Sequence, residues 1–245
     1  MLHIQVSNLP PYHIHPLGDQ ALVIDFGNII SESINKAVVS LFRQFKQHPL
    51  KEIEEVIPAY SSLAVFYDVP FILSESENSK SAFEQMSELI RDYLGNVESS
   101  VSDNGRVFDI PVCYDEEWAT DLKWMAEEKD ITIKKIIELH TSITYRVYML
   151  GFLPGFAYMG EVDEILATPR KSKPMQVKWG SVGIAGRQTG IYPFDSPGGW
   201  QIIGRCPKKI FNHDKEDPVF FQPGDSVKFY SITRDEFENY QGGHS

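Results

Sequence analysis

The spacing of apolar residues along the first hundred positions predicts an alternation of strands and helices. Short apolar runs bounded by turn residues predict strands, and apolar residues recurring every three or four positions predict helices. The order strand, helix, strand, strand, helix, strand favours a small ferredoxin-like unit. The predicted elements are a strand at Ala21–Phe26, a helix through Ile34 and Phe45, strands at Glu54–Ile57 and Leu63–Tyr67, a helix from Phe83 that ends at Gly95, and a strand from Phe108 to Tyr114.

A polar, serine-rich segment at 97–105 interrupts this pattern and predicts a domain boundary. We therefore expect one domain over residues 1–98 and a second over residues 106–240, although the strand after the boundary suits either domain. Ser31 or Ser33 is expected to cap the first helix, because a hydroxyl at that position accepts a hydrogen bond from an orphan backbone N–H. The last five residues, 241–245, are expected to form a frayed end.

The second half of the chain has a different composition. Two short helices come first, the second starting at a Thr132 cap and ending near His140. Ten of the 17 glycines then fall between Gly151 and Gly204, among many large aromatic residues. A flexible linker would be rich in glycine and serine without such aromatics, whereas short β-branched runs punctuated by glycine predict the closely spaced strands of a barrel. The clearest predicted strands are 181–185, 201–204 and, after a Pro-Gly-Asp turn, 227–231.

The overall composition is that of an ordinary globular protein, and the net charge narrows its partners. Of the 245 residues, 42% are hydrophobic and 23% are charged, which suffices for a packed core. The net charge of −11 disfavours a nucleic-acid or anionic-membrane surface, so neither partner is expected. Without a signal-peptide pattern or a bilayer-length apolar stretch, the expected location is cytoplasmic. Cys113 and Cys206 fit a reducing compartment and lack zinc spacing, so no metal is expected.

Cations are concentrated in the glycine-rich and aromatic segment. Between Ile165 and Lys209 there are eight basic residues and one acid, a local balance of +7 in a chain of −11. This concentration predicts a place that holds an anion. Phosphate and carboxylate are the natural candidates, since guanidinium groups bind either one through paired hydrogen bonds. The alternative is that these side chains only solubilise surface loops.

Three short segments in this region combine glycine with aromatic side chains. Glycine lets the backbone approach a ligand closely, and the rings of Tyr192 and Trp200 offer flat apolar walls. Two phenylalanines around a Pro-Gly pair suggest an apolar lip or a ridge that docks a partner. Tight barrel turns with buried aromatic residues would explain the same segments without a ligand. The segments are Gly151–Phe156, Gly186–Pro193 and Ser196–Trp200.

Several widespread catalytic motifs are absent. The sequence has no GxxxxGK[ST] phosphate loop, no HExxH helix and no GxSxG elbow, so this chain alone carries no standard site for ATP. His140 ends an apolar helical face and is a candidate for proton transfer. A histidine in that position is more often a satisfied core or helix-end residue.

A set of joined motifs resembles one protein family. It is similar to the carboxyltransferase-domain family, which includes the B subunit of 5-oxoprolinase, allophanate hydrolase subunit 1 and an inhibitor of a sporulation histidine kinase. The resemblance covers nearly the whole chain, and the joined glycine-aromatic motifs are highly specific. The motifs are Gly18–Asp19, Pro58–Leu63 and Tyr67–Asp68 in the first half, and Gly151–Tyr158, Thr168–Arg170, Gly180–Gly186, Gln188–Pro193, Ser196–Trp200 and Ile203–Arg205 in the second.

The resemblance implies an α+β chain, with a ferredoxin-like N-terminal domain followed by a cyclophilin-like β-barrel. It also implies two companions: a C subunit with a related barrel fold, and an A subunit that resembles a metal-independent barrel hydrolase. Together the three proteins would open 5-oxo-L-proline to L-glutamate at the expense of ATP, used at the level of the complex. Phosphorylation of the lactam oxygen would create a leaving group, and nearby cations would stabilise the developing charge.

Charge and motifs together predict one cationic, glycine-lined site in the second domain. Three other functions stay open: inhibition of a histidine kinase through the N-terminal domain, an allophanate hydrolase-type role, and, by fold analogy alone, a prolyl isomerase. The expected catalytic residues are His140, Arg170 and Arg205; the expected substrate contacts are Gln188, Thr189, Tyr192, Ser196, Gly198, Gly199 and Trp200; and the expected lip is Phe152, Pro154 and Phe156.

Overall fold

The chain divides into two units between Asn104 and Gly105. The computed structural model describes residues 9–75, 79–95 and 105–240. Apart from Gly105, the predicted polar boundary segment lies outside the described residues, and so does the predicted frayed end at 241–245. Each unit has a hydrophobic core of its own.

The first unit is a four-stranded antiparallel sheet covered by helices on one face. Alternate residues of its central strands are buried, as expected for a sheet with one face in the core. The strands are β1 (His13–Pro16), β2 (Ala21–Asp25), β3 (Ile53–Pro58) and β4 (Ser62–Tyr67), in sheet order β1-β2-β4-β3, and the helices are α1 (Glu32–Gln47), α2 (Val69–Ser74) and α3 (Ala82–Gly95).

The predicted strands and helices of this unit are confirmed, but its fourth strand is not the predicted one. The place beside β2 at the sheet edge is taken by β1, which the apolar pattern did not indicate. The strand after the boundary, which the sequence left open to either domain, joins the second unit. The first unit therefore builds its sheet entirely from residues that precede the boundary.

The starts of α1 and α2 use different side-chain chemistry. Ser31 occupies the N-cap of α1, but the prediction that a serine hydroxyl caps the helix is wrong. Its Oγ lies 2.9 Å from the Oγ of Ser33, so the two hydroxyls bond each other. By contrast, Asp68 caps α2 by accepting a hydrogen bond from the N–H of Phe71 at 3.0 Å.

The second unit is a closed seven-stranded barrel with short helices outside it. The barrel order is β10-β7-β6-β13-β5-β12-β9, and β8 and β11 form a separate two-stranded sheet. The strands are β5 (Val107–Cys113), β6 (Thr144–Leu150), β7 (Ala157–Gly160), β8 (Met175–Val177), β9 (Ser181–Ala185), β10 (Gln188–Ile191), β11 (Ser196–Gly198), β12 (Gln201–Arg205) and β13 (Ser226–Ile232); the helices are α4 (Leu122–Glu128), α5 (Ile133–Ser142) and α6 (Arg234–Glu238), with a 3-10 turn at Glu164–Leu166.

The barrel confirms the prediction made from short β-branched runs and glycine. Because successive side chains of a strand point to opposite faces, each strand contributes to two layers. On β10, Ile191 joins the barrel interior, whereas the neighbouring Tyr192 packs on the outer surface. The predicted Thr132 cap of α5 is present, with its Oγ1 accepting from the N–H of Lys135 at 3.1 Å. Within the described ranges, no helix combines the length and apolarity needed to cross a bilayer.

Candidate functional site

A second small apolar cluster lies against the outer surface of the barrel, and we call it the outer aromatic layer. Its rings meet edge to face, with Phe156 lying 5.2 Å from both Tyr192 and Trp200 between ring centroids. This geometry is the favoured arrangement of aromatic pairs. The layer consists of Phe156, Val177, Ala185, Tyr192, Trp200 and Ile202, with Leu153 and Tyr158 packed against it.

Glycines are required where the backbone crosses this layer. A Cβ on Gly198 would stand 2.7 Å from both Cε1 and Cζ of Tyr192, inside normal carbon contact distance. A Cβ on Gly190 would stand 2.8 Å from the carbonyl oxygen of Ala157. A Cβ on Gly199 would instead meet nothing closer than 3.7 Å. The predicted close backbone approach is therefore present at Gly198, but the neighbour it approaches is a ring of the same chain.

Arg170 stands at the rim of the outer aromatic layer. The segment before and after it is fastened by two hydrogen bonds, from the N–H of Lys171 to the Gly199 carbonyl at 2.7 Å and from Nε2 of Gln201 to the Pro169 carbonyl at 3.1 Å. The Arg170 side chain is exposed, and no ion-pair partner for it exists among the residues that the structure describes. Hydrogen bonds therefore hold the backbone around Arg170 in place, whereas its exposed guanidinium has no ion pair in the described part of the chain.

The hydroxyl of Tyr192 lies within electrostatic range of this arginine. Burial raises the pKa of Tyr192, while the backbone N–H of Trp200 and the charge of Arg170 act in the opposite direction. Tyr192 is therefore a neutral hydrogen-bonding group at pH 7. The same layer brings together Arg170, Tyr192, Gly198, Gly199 and Trp200, five of the residues expected from the sequence.

Arg205 lies on the same outer surface but beside a separate cavity. Its guanidinium carbon lies 4.9 Å from the ring centroid of Trp179, and its Nε donates to the Trp179 carbonyl at 3.0 Å. The adjoining cavity measures 110 Å³. Val177 and Ile202 belong to both the cavity and the outer aromatic layer. The lining of this cavity is Glu117, Trp118, Thr120, Gln176, Val177, Lys178, Ser181, Ile202 and Arg205, without Arg170, Gln188 or Tyr192.

The hydroxyl of Ser196 lies beneath the two-stranded sheet of β8 and β11 and lacks a hydrogen bond to any described residue. The residue is 7% exposed, and its Oγ has no hydrogen-bond partner within the described part of the chain. Ser196 is paired with Val177 across β11 and β8, and directly opposed residues of an antiparallel pair point to the same side. Its hydroxyl therefore faces the barrel side, where an orphaned buried group costs about 1–3 kcal/mol and is a natural partner for a polar ligand atom.

His140 is buried where α5 packs on the barrel, and it is not exposed on the outer surface that carries Arg170 and Arg205. It is 0% exposed, with Nδ1 2.7 Å from the Tyr114 hydroxyl and Nε2 3.0 Å from Oγ1 of Thr189. Thr189 gives its own proton to the Gly183 carbonyl, so Nε2 of His140 is the donor in their bond. Burial lowers the pKa of His140 to about 3. The imidazole is therefore neutral, fully hydrogen-bonded and closed to a molecule arriving from solvent.

The neighbouring Gln188 and Thr189 are divided between the two sides of β10. Thr189 is 0% exposed and bonds to His140, so it serves the interior, whereas Gln188 is half-buried. Gln188 pairs with Ala185 at one end of β9, and Arg205 pairs with Ser181 at the other end. Gln188 and Arg205 therefore lie at opposite ends of that strand. The single site expected from the sequence is thus spread along the outer surface of the barrel, and Thr189 and His140 are not exposed on it.

The three residues of the predicted lip lie in or next to the outer aromatic layer. Phe152 is 62% exposed and has a φ of +68°, which is uncommon for a residue with a side chain. Its ring meets that of Phe156 at 5.8 Å, edge to face, and Phe156 is buried. Pro154 is exposed on the same turn. The structure therefore separates the lip residues into a buried anchor and an exposed ring and proline.

Ion pairing distinguishes the cations that the sequence could only count. Three of the eight in the segment are neutralised: Lys171 by Asp121 at 2.6 Å, Lys178 by Asp195 at 2.8 Å and Arg187 by Glu161 at 2.7 Å. The other five, for which the described residues offer no carboxylate partner, are Arg170, Lys173, Arg205, Lys208 and Lys209.

Sequence reasoning missed the acid that organises the rim. Asp121 accepts hydrogen bonds from the N–H of Ile202 and from Nζ of Lys171, both at 2.6 Å. It therefore connects α4, β12 and the segment that carries Arg170. Its position directly before a helix indicates an N-cap. The neighbouring sequence does not show that its carboxylate instead binds residues 50 and 81 positions further along the chain. Over the described ranges, no group of His, Cys, Asp and Glu side chains is arranged to hold a metal ion.

Comparison with known proteins identifies relatives along almost the whole chain. Residues 12–221 match the family model for the carboxyltransferase domain, subdomain C and D. The 5-oxoprolinase B subunit of Bacillus subtilis is 38% identical over 232 residues, which span 94% of this chain and 97% of that protein. The corresponding B subunit of Haemophilus influenzae is 37% identical and covered to 96% of its length.

Solved structures share the fold and include longer chains. The crystal structure of TTHA0988 is 32% identical with a TM-score of 0.75, and the match covers 87% of this chain but only 40% of that one. The uncharacterized protein PH0987 from Pyrococcus horikoshii is 43% identical, with a TM-score of 0.53 and full coverage of its length. The K. lactis urea amidolyase, 19% identical, shares the fold with a TM-score of 0.71 over 16% of its own chain.

Proposed function

The chain belongs to the carboxyltransferase-domain family, and we propose that it acts as the B subunit of an ATP-dependent 5-oxoprolinase. The observation that carries this proposal is the match to 5-oxoprolinase B subunits over 93–97% of their length at 33–38% identity. A companion barrel protein as C subunit and a hydrolase-like A subunit would complete the enzyme. In this proposal the first unit is a ferredoxin-like variant, the barrel is cyclophilin-like, and the complex works in the cytoplasm.

Within this complex, the outer surface of the barrel would hold the anionic parts of the reaction. 5-Oxo-L-proline carries a carboxylate, and phosphorylation of its lactam oxygen adds further negative charge. Arg170 and Arg205 are the two arginines of the cationic segment without a carboxylate partner in the described structure. Guanidinium groups bind carboxylate and phosphate through paired hydrogen bonds, and a fixed cation stabilises charge that develops in the transition state.

The two arginines would have different parts in this arrangement. Arg205 is stacked on Trp179 beside a cavity of 110 Å³, which suits an end group such as a carboxylate. Arg170 projects from a fastened segment near the Tyr192 hydroxyl, and together they provide a cation and a neutral polar group. Gln188, Ser196 and Trp200 would add polar and apolar contacts along the same surface. His140 and Thr189 would support this barrel wall from inside.

Reconstitution tests the proposed function directly. The three purified subunits are mixed with ATP and 5-oxo-L-proline, and glutamate and ADP are measured. Omission of this chain should abolish glutamate formation. Unchanged glutamate formation without it would refute the proposal.

Single substitutions test the two arginines against a matched control. Arg170→Ala and Arg205→Ala should each lower kcat/KM by about 10²-fold or more, the order of loss seen when one charge-stabilising donor is removed. Arg187→Ala is the control, because Arg187 lies in the same segment and is neutralised by Glu161. Equal losses in all three variants would contradict a specific role for Arg170 and Arg205. Thermal unfolding of each variant separates lost chemistry from lost folding.

The exposed lip would contact the companion barrel protein. Phe152 presents an apolar ring to solvent, and its positive φ is a conformation that glycine adopts without strain. Phe152→Gly therefore should leave the free energy of unfolding within about 1 kcal/mol of the wild type while weakening capture of the companion barrel protein at least tenfold. Ile165→Ala, at an exposed apolar residue elsewhere on the barrel unit, is the control. Undiminished capture by the Phe152 variant, or capture of a histidine kinase in place of the companion barrel protein, would contradict this assignment.

A further inference from the structure

A cavity of 320 Å³ lies on the barrel unit outside the surface described so far. It is bordered by the start of β5 and by the segment between β12 and β13, which doubles back on itself through hydrogen bonds such as that from the Phe220 N–H to the Ile210 carbonyl at 3.1 Å. The volume falls at the lower end of the range for small-molecule sites. Its lining is Arg106, Phe108, Lys208, Lys209, Ile210, Phe211, Asn212, Lys215, Asp217, Pro218, Val219 and Phe220.

The lining carries three lysines without a carboxylate partner among the described residues. These are Lys208, Lys209 and Lys215, and the carboxylate that shares the lining with them is Asp217. Like charges that border one small cavity repel each other, so the site favours an occupant of opposite charge. This local excess of positive charge stands out in a chain whose net charge is −11.

Arg106 is a frame of the cavity and not a free cation. Its Nη2 lies 2.7 Å from Oδ2 of Asp225, which is 2% exposed, and the same nitrogen donates to the Phe220 carbonyl at 3.1 Å. The pair links the start of β5 to the segment before β13. Arg106 therefore holds the two borders together, and its charge is already balanced.

Lys208 is held in place by an aromatic platform. Its Nζ lies 4.3 Å from the ring centroid of Phe220, and the ring of Phe220 packs at 4.7 Å against that of Phe108. The Arg106 guanidinium in turn lies 5.0 Å from the Phe108 centroid. Cations cover the faces of Phe108 and Phe220, so a ligand in the cavity would meet ammonium groups and not aromatic rings. Ammonium groups act as point charges that suit phosphate oxygens.

From these contacts we propose that the cavity binds the phosphate chain of a di- or triphosphate ligand. Three ammonium groups against the one carboxylate of Asp217 leave the lining net positive, which offsets part of the charge of such a chain, and the volume admits the phosphates without a large organic group. ATP and inorganic tripolyphosphate share this chemistry. Identification of the ligand with ATP rests on the proposed 5-oxoprolinase function, whereas binding of the phosphate chain does not. If ATP is the occupant, part of its site lies on this chain and not only at the level of the complex.

Isothermal titration of the purified full chain tests the site. ATP and tripolyphosphate, each without added metal and at near-physiological ionic strength, should bind with one-to-one stoichiometry, and adenosine should not bind. Equal affinity for the two phosphates identifies the phosphate chain as the recognised group, and ATP binding at least tenfold more tightly identifies a nucleotide. Absence of binding by both at millimolar concentration would overturn the proposal.

A pair of double variants separates this site from general electrostatics. Lys208→Ala combined with Lys215→Ala should weaken tripolyphosphate binding at least tenfold. Lys134→Ala combined with Lys135→Ala removes the same charge from the exposed face of α5 and should change binding less than twofold. Equal weakening by both pairs would show non-specific attraction and overturn the site. Because the readout is binding by this chain alone, an inactive reconstituted enzyme would count against the proposed function and leave this result intact.

Discussion

The pair Gly198 and Gly199 offers the sharpest test of how the outer aromatic layer is built. Gly198 ends β11 and Gly199 follows it directly, yet their surroundings differ. A methyl group on Gly198 would stand 2.7 Å from Cε1 and Cζ of Tyr192, whereas one on Gly199 would lie 3.7 Å from the nearest atom, the Lys171 carbonyl oxygen. Gly198→Ala should therefore displace the Tyr192 ring, and Gly199→Ala should displace nothing.

The magnitude follows from the room around Tyr192. Carbon atoms pack at about 3.5–4.0 Å, so the ring must retreat by roughly 1 Å. Tyr192 is 1% exposed and meets Phe156 at 5.2 Å between centroids, so the retreat disturbs a filled layer. Overpacking of this kind costs about 1–3 kcal/mol, which lowers the Tm by about 3–10 °C. Gly199→Ala should stay within about 0.5 kcal/mol of the wild type.

The assay is urea unfolding followed by tryptophan fluorescence, with both variants compared in parallel. Either substitution restricts the unfolded chain to the same extent, so the difference between the two isolates packing. Adding Tyr192→Phe to Gly198→Ala removes the hydroxyl nearest the new methyl group. The double variant should therefore lose less stability than the sum of its single variants. Equal stability of Gly198→Ala and Gly199→Ala would refute the reasoning.

Three further predictions concern polar or titratable side chains of the barrel unit. Burial lowers the pKa of His140 from 6.5 to about 3, so between these pH values the unfolded chain binds a proton that the folded chain does not. The free energy of unfolding should therefore fall by about 1.4 kcal/mol per pH unit as the pH drops from 6.5 towards 3. His140→Gln should lack this part of the pH dependence when urea unfolding is measured across the same range. Asp121→Ala should lower the free energy of unfolding in urea by about 1–3 kcal/mol, because Lys171 and the Ile202 N–H lose their partner. Asp195→Ala, at a more exposed ion pair, should lower it by less than about 1 kcal/mol. Equal losses in the two variants would contradict this reasoning. Burial raises the pKa of Cys206 to about 12, so at pH 8 its thiol should react with a disulfide reagent only after unfolding, and fast reaction of the native chain would contradict the burial.

Periodicity was enough to predict most elements of the first unit, whereas the barrel strands β6, β7 and β10 were not among the predicted strands. The helical repeat through Val38, Leu41 and Phe45 and the alternation in β4 follow from burying one face, so the pattern fixes them locally. β1 escaped prediction because it is a short edge strand whose residues are largely exposed and leave no apolar signature. Its pairing with β2 is decided by register across a turn and not by composition.

The destination of β5 could not be read from the chain either. Its alternating pattern, with Phe108 and Ile110 on one side, suits any half-buried strand. What assigns β5 to the barrel is its parallel pairing with β13, whose residues lie more than 110 positions away. Pairing over such a separation depends on closing the barrel, and no local propensity encodes it.

The candidate site shows the same division between composition and geometry. Counting charges located the cationic segment and favoured Arg170 and Arg205 over its lysines, but a count cannot show ion pairs. In the structure, ion pairs neutralise Lys171, Lys178 and Arg187, whereas Arg170 and Arg205 have no such partner among the described residues. The outer aromatic layer contains residues of the glycine-aromatic motifs, among them Phe156, Tyr192 and Trp200. Thr189 was included because it lies within a glycine-aromatic motif, and His140 because it ends an apolar helical face. Their burial and their mutual hydrogen bond place both away from the outer layer.

Strand alternation also explains how one barrel serves two purposes. Ile191 and Thr189 of β10 face an interior whose polar groups bond each other, so the barrel can be rigid and neutral. Tyr192, next along the chain, faces the outer layer. On that side, within the part of the chain that the structure describes, Arg170 and Arg205 have no carboxylate partner and the Ser196 hydroxyl has no hydrogen bond. Unpaired polar groups are costly inside a protein and useful where a ligand or a companion protein completes them. A barrel interior whose polar groups are hydrogen-bonded, behind an outer surface with unpaired polar groups, is therefore the arrangement expected of a protein that completes its polar contacts by binding a ligand or a partner.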